Sequence, residues 1–394
     1  MTAPKEPSGR YVPLAGGGRA FVPAPLPPPI EWTPELAGAE SEASLLLGRL
    51  SGKGDGLLNP HLLIRPFVRR EAVLSSRIEG TQATLAELLA DEAGAAVERA
   101  PDDLREVRNY VVALEDGVAS LPKLPLSLRL VRDLHRTLMK DVRGNSANPG
   151  EFRRTQNWIG PPGATVANAR FVPPPPNEVP ACLDAWEKFL HARELPPLAQ
   201  AALLHYQFEA IHPFIDGNGR VGRLLIALFF IEREILPSPL LYLSAFFEAS
   251  RRDYYDLLTA VSTHGEWKPW ILYFLRGITH QARDALSRLE KIHALRETWR
   301  KRLAFRQTTK VMKLLDRITG NPFVTVKGAA QDLGVAFTTA QRTIDVLAER
   351  RILVLTNDAR RGRVYVARKL LDIFDEPANL IQAEKADSKK HKRR

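Results

Sequence analysis

The feature that most narrows the fold is an apolar repeat at three- and four-residue spacing that recurs from about residue 36 to residue 300. Leu45, Leu46, Leu47 and Leu50 open it, and Ile64, Phe67, Val68, Leu74 and Ile78 continue it. Side chains at that spacing share one face of a helix, so the stretch calls for a succession of amphipathic helices on a common core. Further helices are expected over 127–143, 178–192, 197–211, 219–233, 251–263 and 267–300. Residues 149–177 break the rhythm, and Trp158–Val172, with a turn rich in Pro and Gly, reads as a short β-hairpin. Residues 1–35 carry enough Pro and Gly to exclude regular helix, and read as an arm lying extended over a body or left mobile.

Beyond residue 305 the pattern and the charge both change. The chain has 394 residues, 44% hydrophobic and 26% charged, enough for two or three globular domains. Its net charge is +11, and residues 306–394 hold 19 Lys and Arg against 10 Asp and Glu, so most of the excess is C-terminal. There, helices at 308–317, 327–333 and 338–350 flank the strand Val324–Val326 and the turn residue Gly334. Strands 352–355 and 363–366 follow around Asp358–Gly362. Helix, turn, helix and basic hairpin in that order read as a winged helix-turn-helix. Arg342, Arg350, Arg351, Arg360, Arg361 and Arg363 suit contact with DNA phosphates, although winged helices also dock proteins. Lys385–Arg394 is a charge run expected to be disordered. The expected divisions are an arm at 1–35, an N-terminal helical region at 36–120, a catalytic core at 121–300, the winged helix at 306–375 and a basic tail at 376–394.

Cys182 is the only cysteine, which excludes an intramolecular disulfide and reads as a buried thiol. No apolar run approaches the ~18 residues of a membrane span and no signal-like segment opens the chain, so the cytoplasm is the expected compartment.

The chemistry concentrates in the loop between the expected helices 197–211 and 219–233, which reads His212-Pro-Phe-Ile-Asp-Gly-Asn-Gly-Arg-Val-Gly-Arg223. Gly217, Gly219 and Gly222 lack Cβ atoms, so backbone N–H groups can converge on an anion at the positive end of the next helix. His212 is the nearby group suited to accept a proton at neutral pH. Asp216 suits Mg²⁺, which is usually held by one or two carboxylates together with substrate phosphates. Arg220 and Arg223, three residues apart, suit a polyphosphate, and the Asn218 amide can donate to a phosphate oxygen. Phe214 reads as an anchor into the core.

This segment resembles the signature of the Fic family, His-x-Phe-x-(Asp/Glu)-Gly-Asn-Gly-Arg-x-x-Arg, and matches it at every defined position. The resemblance implies a mainly α fold, a Fic-type helical bundle with a small β-hairpin flap, and transfer of AMP from ATP to a Tyr, Ser or Thr hydroxyl of a protein. It makes His212 the base, Asp216 the Mg²⁺ ligand and Gly217–Gly219 the anion hole. Arg220, Val221, Gly222 and Arg223 complete the phosphate site, and Trp158–Val172 becomes the flap that registers the target backbone. Tyr254, Tyr255 and Leu258 resemble positions lining the adenine pocket, or stand in the core as paired aromatics. Ser75-Ser-Arg-Ile-Glu79-Gly80 resembles the family's inhibitory motif, (Ser/Thr)-x-x-x-Glu-(Gly/Asn), in its N-terminal class. That implies a Glu79 carboxylate that takes Arg223 from the γ-phosphate. Relatives move phosphate or phosphocholine or remove AMP, and an ATP-sensing DNA-binding regulator is the rival reading. Partners to consider are a target protein, the chain itself, duplex DNA and a second copy in a homodimer, with no membrane.

Overall fold

The apolar repeat forms helices over nearly the whole length expected of it. The structure is a computed structural model, and it describes residues 6–14, 17–55, 60–98, 101–142, 148–161, 163–304, 306–356 and 362–377. The chain opens with β1 (Gly9–Pro13) and β2 (Arg19–Pro23), followed by α1 (Pro34–Asp55), α2 (Pro60–Ile78), α3 (Leu85–Glu92) and α4 (Pro101–Ser120). Then come α5 (Leu128–Leu138), α6 (Val179–His191), α7 (Pro197–Ile211), α8 (Asn218–Glu232), α9 (Ser244–Ala249), α10 (Arg251–His264) and the long α11 (Trp267–Arg302). The C-terminal unit runs α12 (Thr309–Gly320), β3 (Phe323–Thr325), α13 (Val326–Leu333), α14 (Phe337–Glu349), β4 (Val354–Leu355), β5 (Val364–Val366) and α15 (Arg368–Asp375). Its three strands form an antiparallel sheet in the order β3-β5-β4.

The helices α7 and α8 pass through the centre, which explains why their sequences show little polar face: nearly every residue of both is buried. A helix that is apolar all round belongs inside a bundle. Around them pack α4, α5, α6 and α11. α2 packs on α4, α8 and α9 of this bundle and on α12 and α15 of the C-terminal unit. Phe67 of α2 meets Phe374 of α15 edge-on at 6.4 Å. Asn321 and Thr325 donate to the carbonyls of Leu89 and Ala93 at the end of α3. Arg288 of α11, whose side chain is 2% exposed, donates to the carbonyls of Ile373 and Glu376.

Two expectations change. Residues 9–13 and 19–23 of the arm pair as two antiparallel strands, and the N–H of Phe21 donates to the carbonyl of Val172 at the end of the flap. The flap itself is a loop closed by the single bridge Ile159 to Phe171. Its turn is held by side chains, with Trp158 donating to the carbonyl of Ala164 and Asn168 accepting from the N–H of Thr165. Two short helices, α9 and α15, were not expected. Residues 357–361, which include Arg360 and Arg361, and the basic tail from residue 378 lie outside the described residues. Among the described residues no helix is long and apolar enough to cross a membrane, and Cys182 is buried as expected.

Candidate active site

The loop 212–223 is shaped by backbone geometry before any side chain acts. His212 ends α7 in a left-handed conformation, φ 49°, and Gly217 precedes α8 at φ 79°. A Cβ on Gly217 would stand 2.8 Å from the Met139 sulfur, so the position needs glycine for both conformation and space. No side chain caps α8, which leaves its first-turn N–H groups free to meet an anion.

Asn218 does not point at that anion. Its Oδ1 accepts from the N–H of Phe214 and its amide donates to the Phe214 carbonyl, so it closes the loop from within. Val221 is fully buried and contributes only backbone. Phe214 is fully buried against the ring of His135, 3.7 Å between centroids. His135 accepts from the N–H of Gly150 at Nδ1, which leaves Nε2–H to donate to the carbonyl of Asp216, 3.0 Å away. The Asp216 carboxylate itself is half exposed, accepting from the N–H of Gly217 and lying 3.5 Å from Arg220.

Burial lowers the His212 imidazole to about 4, so it is neutral at pH 7. Its Nδ1 lies 3.3 Å from the Glu209 carbonyl, and donation there leaves Nε2 as the proton acceptor. Arg153, 4% exposed, fixes the residue from the other side by donating to the carbonyls of His212, Ile211 and Pro174.

Arg223 is held from α2. Its Nε donates to Ser75 Oγ, and Nη2 donates to the Ser75 carbonyl and, at 2.6 Å, to Glu79 Oε1. A Cβ on Gly219 would overlap that same Glu79 oxygen, which therefore lies directly over the start of α8. Burial pushes the Glu79 carboxyl up, but Arg223, Arg220 and His212 together hold it below the usual carboxylate value. Arg220 turns toward α4, with Nη1 3.4 Å from Glu106, and Glu106 also accepts from Thr81 just beyond Glu79. Arg220 and Arg223 thus both stand against the Glu79 segment, each with a carboxylate partner.

Beneath the loop, Tyr254 and Tyr255 part company. Tyr254 is 1% exposed and its hydroxyl meets His205 Nε2 at 2.9 Å, while His205 Nδ1 lies 3.3 Å from the carbonyl of Gly222. This chain supports the loop from the core. Tyr255 and Leu258 instead line a pocket with Ile159 and Phe171 of the flap. Arg170 of the flap stacks over the Tyr255 ring at 5.3 Å and pairs with Asp256 at 2.7 Å.

The sequence reading missed His135, Arg153, His205 and Glu106. The periodicity offered only that each lies on, or just before, a segment that reaches the loop.

The geometry finds company among known proteins. Residues 38–119 match the family model described as Fic/DOC family N-terminal, and residues 125–230 match that of the Fic/DOC family. The proteins named Protein adenylyltransferase Fic from Drosophila grimshawi and Drosophila virilis are 36% identical over 155 residues, which is 38% of this chain. The match spans only 30% of the length of those relatives. A Fic family protein from Desulfovibrio desulfuricans G20 superposes with a TM-score of 0.57 at 23% identity, covering 87% of this chain and 98% of that one. A Fic domain containing signaling protein from Bacteroides thetaiotaomicron gives 0.50 at 21% identity, over 65% of this chain and 97% of that one. The two solved structures share the fold. This chain thus carries a Fic/DOC family N-terminal region at residues 38–119, which takes in Ser75–Gly80, and a Fic/DOC family domain at residues 125–230, which takes in the loop 212–223.

Proposed function

We propose that this chain transfers AMP from ATP to a Tyr, Ser or Thr hydroxyl of a protein, and that Glu79 restrains the transfer. One juxtaposition carries the reading: the Glu79 carboxylate bonds Arg223 while lying over Gly219, so it occupies the position of an anion at the uncapped start of α8. A triphosphate needs the same place and the same guanidinium. With Glu79 withdrawn, Arg223 and Arg220 would take the terminal phosphates and the α8 N–H groups the inner ones. His212 Nε2 would accept the hydroxyl proton, the freed oxygen would attack the α-phosphorus, and pyrophosphate would leave. A base so placed is worth roughly 10²–10⁴ in rate.

The residues present also fit Mg²⁺. Among the described residues there is no cluster of three His, Cys, Asp or Glu side chains, so a cage made by protein alone is not on offer. Asp216, half exposed at the loop rim, suits a Mg²⁺ carried in with the phosphates, where the ion would neutralise charge on the departing pyrophosphate. Tyr255 and Leu258 would receive the base, and the flap would align the target chain along its edge. The helix-turn-helix order α13, α14 with a sheet beside it supports a winged-helix reading for the C-terminal unit.

Incubation with α-labelled ATP and Mg²⁺ tests the whole reading. Label should appear on protein, vanish in His212→Ala and rise in Glu79→Gly by at least about tenfold, the equivalent of ~1.4 kcal/mol. Label that is indifferent to Glu79 would remove the restraint. Nucleotide binding with no label on any protein would favour the rival regulator that senses ATP, for which a base beside the phosphates has no use.

A further inference from the structure

The turn that carries Glu79 is tied to two different helices. Its backbone bonds run back to α2: the N–H groups of Gly80 and Thr81 donate to the carbonyls of Arg77 and Ser76, with Gly80 at φ 103°. That pattern is a glycine-ended helix cap, so the backbone of the turn belongs to α2. The Thr81 side chain belongs elsewhere. Thr81 is only 7% exposed, and its hydroxyl donates to Glu106 Oε2 of α4 at 2.8 Å. The N–H of Gln82 donates at 3.2 Å to Asp103, one turn earlier on the same helix.

The oxygen that takes Thr81 also serves the phosphate site. Arg220 Nη1 lies 3.4 Å from the same Glu106 Oε2, with Asp216 at 3.5 Å and the Met139 sulfur at 3.7 Å from Nη2. Arg223, by contrast, makes three bonds of 2.9 Å or less. Thr81 stands two residues from Glu79, so fixing its hydroxyl limits where the Glu79 carboxylate can reach. A bond from a hydroxyl to a carboxylate is charge-assisted and directional, which suits it to that task. We infer that Glu106 is a positioning residue for the restraint: by accepting from Thr81 it seats the Glu79 carboxylate over the start of α8, and by sharing that oxygen with Arg220 it joins the seat to the second phosphate arginine. This rests on the restraint reading above and deepens it. A triphosphate that takes Arg220 strips Glu106 of its cation and brings like charge toward it, which favours turning the carboxylate off Thr81. The nucleotide then works against Glu79 twice, directly at Arg223 and through Glu106 at Arg220.

The test reads label transferred to the chain itself from α-labelled ATP with Mg²⁺. Thr81→Val, which keeps the shape and removes the donor, should raise label by about threefold or more, the effect of one lost hydrogen bond. Thr81→Ser, which keeps the donor, should leave label low. In Glu79→Gly there is no carboxylate to seat, so Thr81→Val should move label there by less than about twofold, whereas a variant that only loosens the fold would lower it in both settings. Glu106→Ala should raise label as Thr81→Val does, and adding Thr81→Val to it should raise label no further. Glu106→Gln, closer in shape and a neutral acceptor, should fall between. Label unmoved by Thr81→Val in a chain that Glu79→Gly activates would overturn the inference while sparing the restraint. So would a Thr81→Val rise of equal size in Glu79→Gly, or the lack of any rise in both Glu106 variants. Absence of a rise in Glu79→Gly itself would sink the restraint and the inference together.

Discussion

Three histidines around the loop are neutral for one reason, burial, and serve two purposes. Burial puts His135 at about 4 and His205 at about 3, and both use their ring nitrogens to hold loop carbonyls, those of Asp216 and Gly222. His212, also lowered to about 4, keeps one nitrogen open. The sign matters for the rate. An imidazole whose pKa is depressed stays an acceptor until the pH falls to that lower value. Loss of Glu79, which favours the charged ring, moves the value lower still. The kcat/KM of Glu79→Gly should therefore stay level as pH falls from about 7.5 to about 5.5. An acid limb centred near the ordinary value of 6.5 would show that burial does not govern His212 in the active form. Of these residues only His212 was legible in the sequence, because its partners follow it within a dozen positions. His135 reaches Asp216 across 81 residues and Arg153 reaches the carbonyl of His212 across 59, separations on which local spacing is silent. Asn218 shows the opposite failure: its place in the loop was legible, but its side chain turned inward to Phe214.

At the scale of elements, the helices were legible because a buried face repeats every turn. The expected helix 197–211 coincides with α7, and 219–233 differs from α8 by one residue at each end. The two strands of the arm were not, since Pro and Gly mask a register that only pairing reveals. Nor was the thinness of the flap, where side chains of Trp158 and Asn168 replace a ladder. The placement of α2 bears on how the proposed restraint would be lifted. The helix ends at Ile78, and Glu79 stands on the short turn beyond it, where the Thr81 hydroxyl donates to Glu106 and the N–H of Gln82 donates to Asp103. Withdrawing the carboxylate by rotating this turn breaks few contacts, whereas moving α2 would bare apolar side chains on two sides. Hydrogen exchange should therefore quicken at residues 79–83 in Glu79→Gly while the α2 amides stay slow. Faster exchange along α2 itself would mean that the helix, rather than the turn, is the moving part.

At the scale of the molecule, charge and packing divide the chain differently. Charge separates it near residue 305, and so did the expected domain boundaries. Packing does not, because the buried apolar side chains from Val22 to Phe374 form one continuous cluster. The helix α2, which leads into Glu79, is a shared wall of both units: Phe67 faces α15, while Glu71 is buried beside Ser244 of α9 and Tyr110 of α4. Neither unit can lose its neighbour without exposing part of its own interior. Scanning calorimetry of the full chain should accordingly record one cooperative endotherm, with the C-terminal unit melting alongside the bundle. Two resolved peaks would show that the units are only docked. Since α2 belongs to both interiors, the helical bundle and its C-terminal companion would share a single fate on heating, and damage to either would be felt as loss of the other.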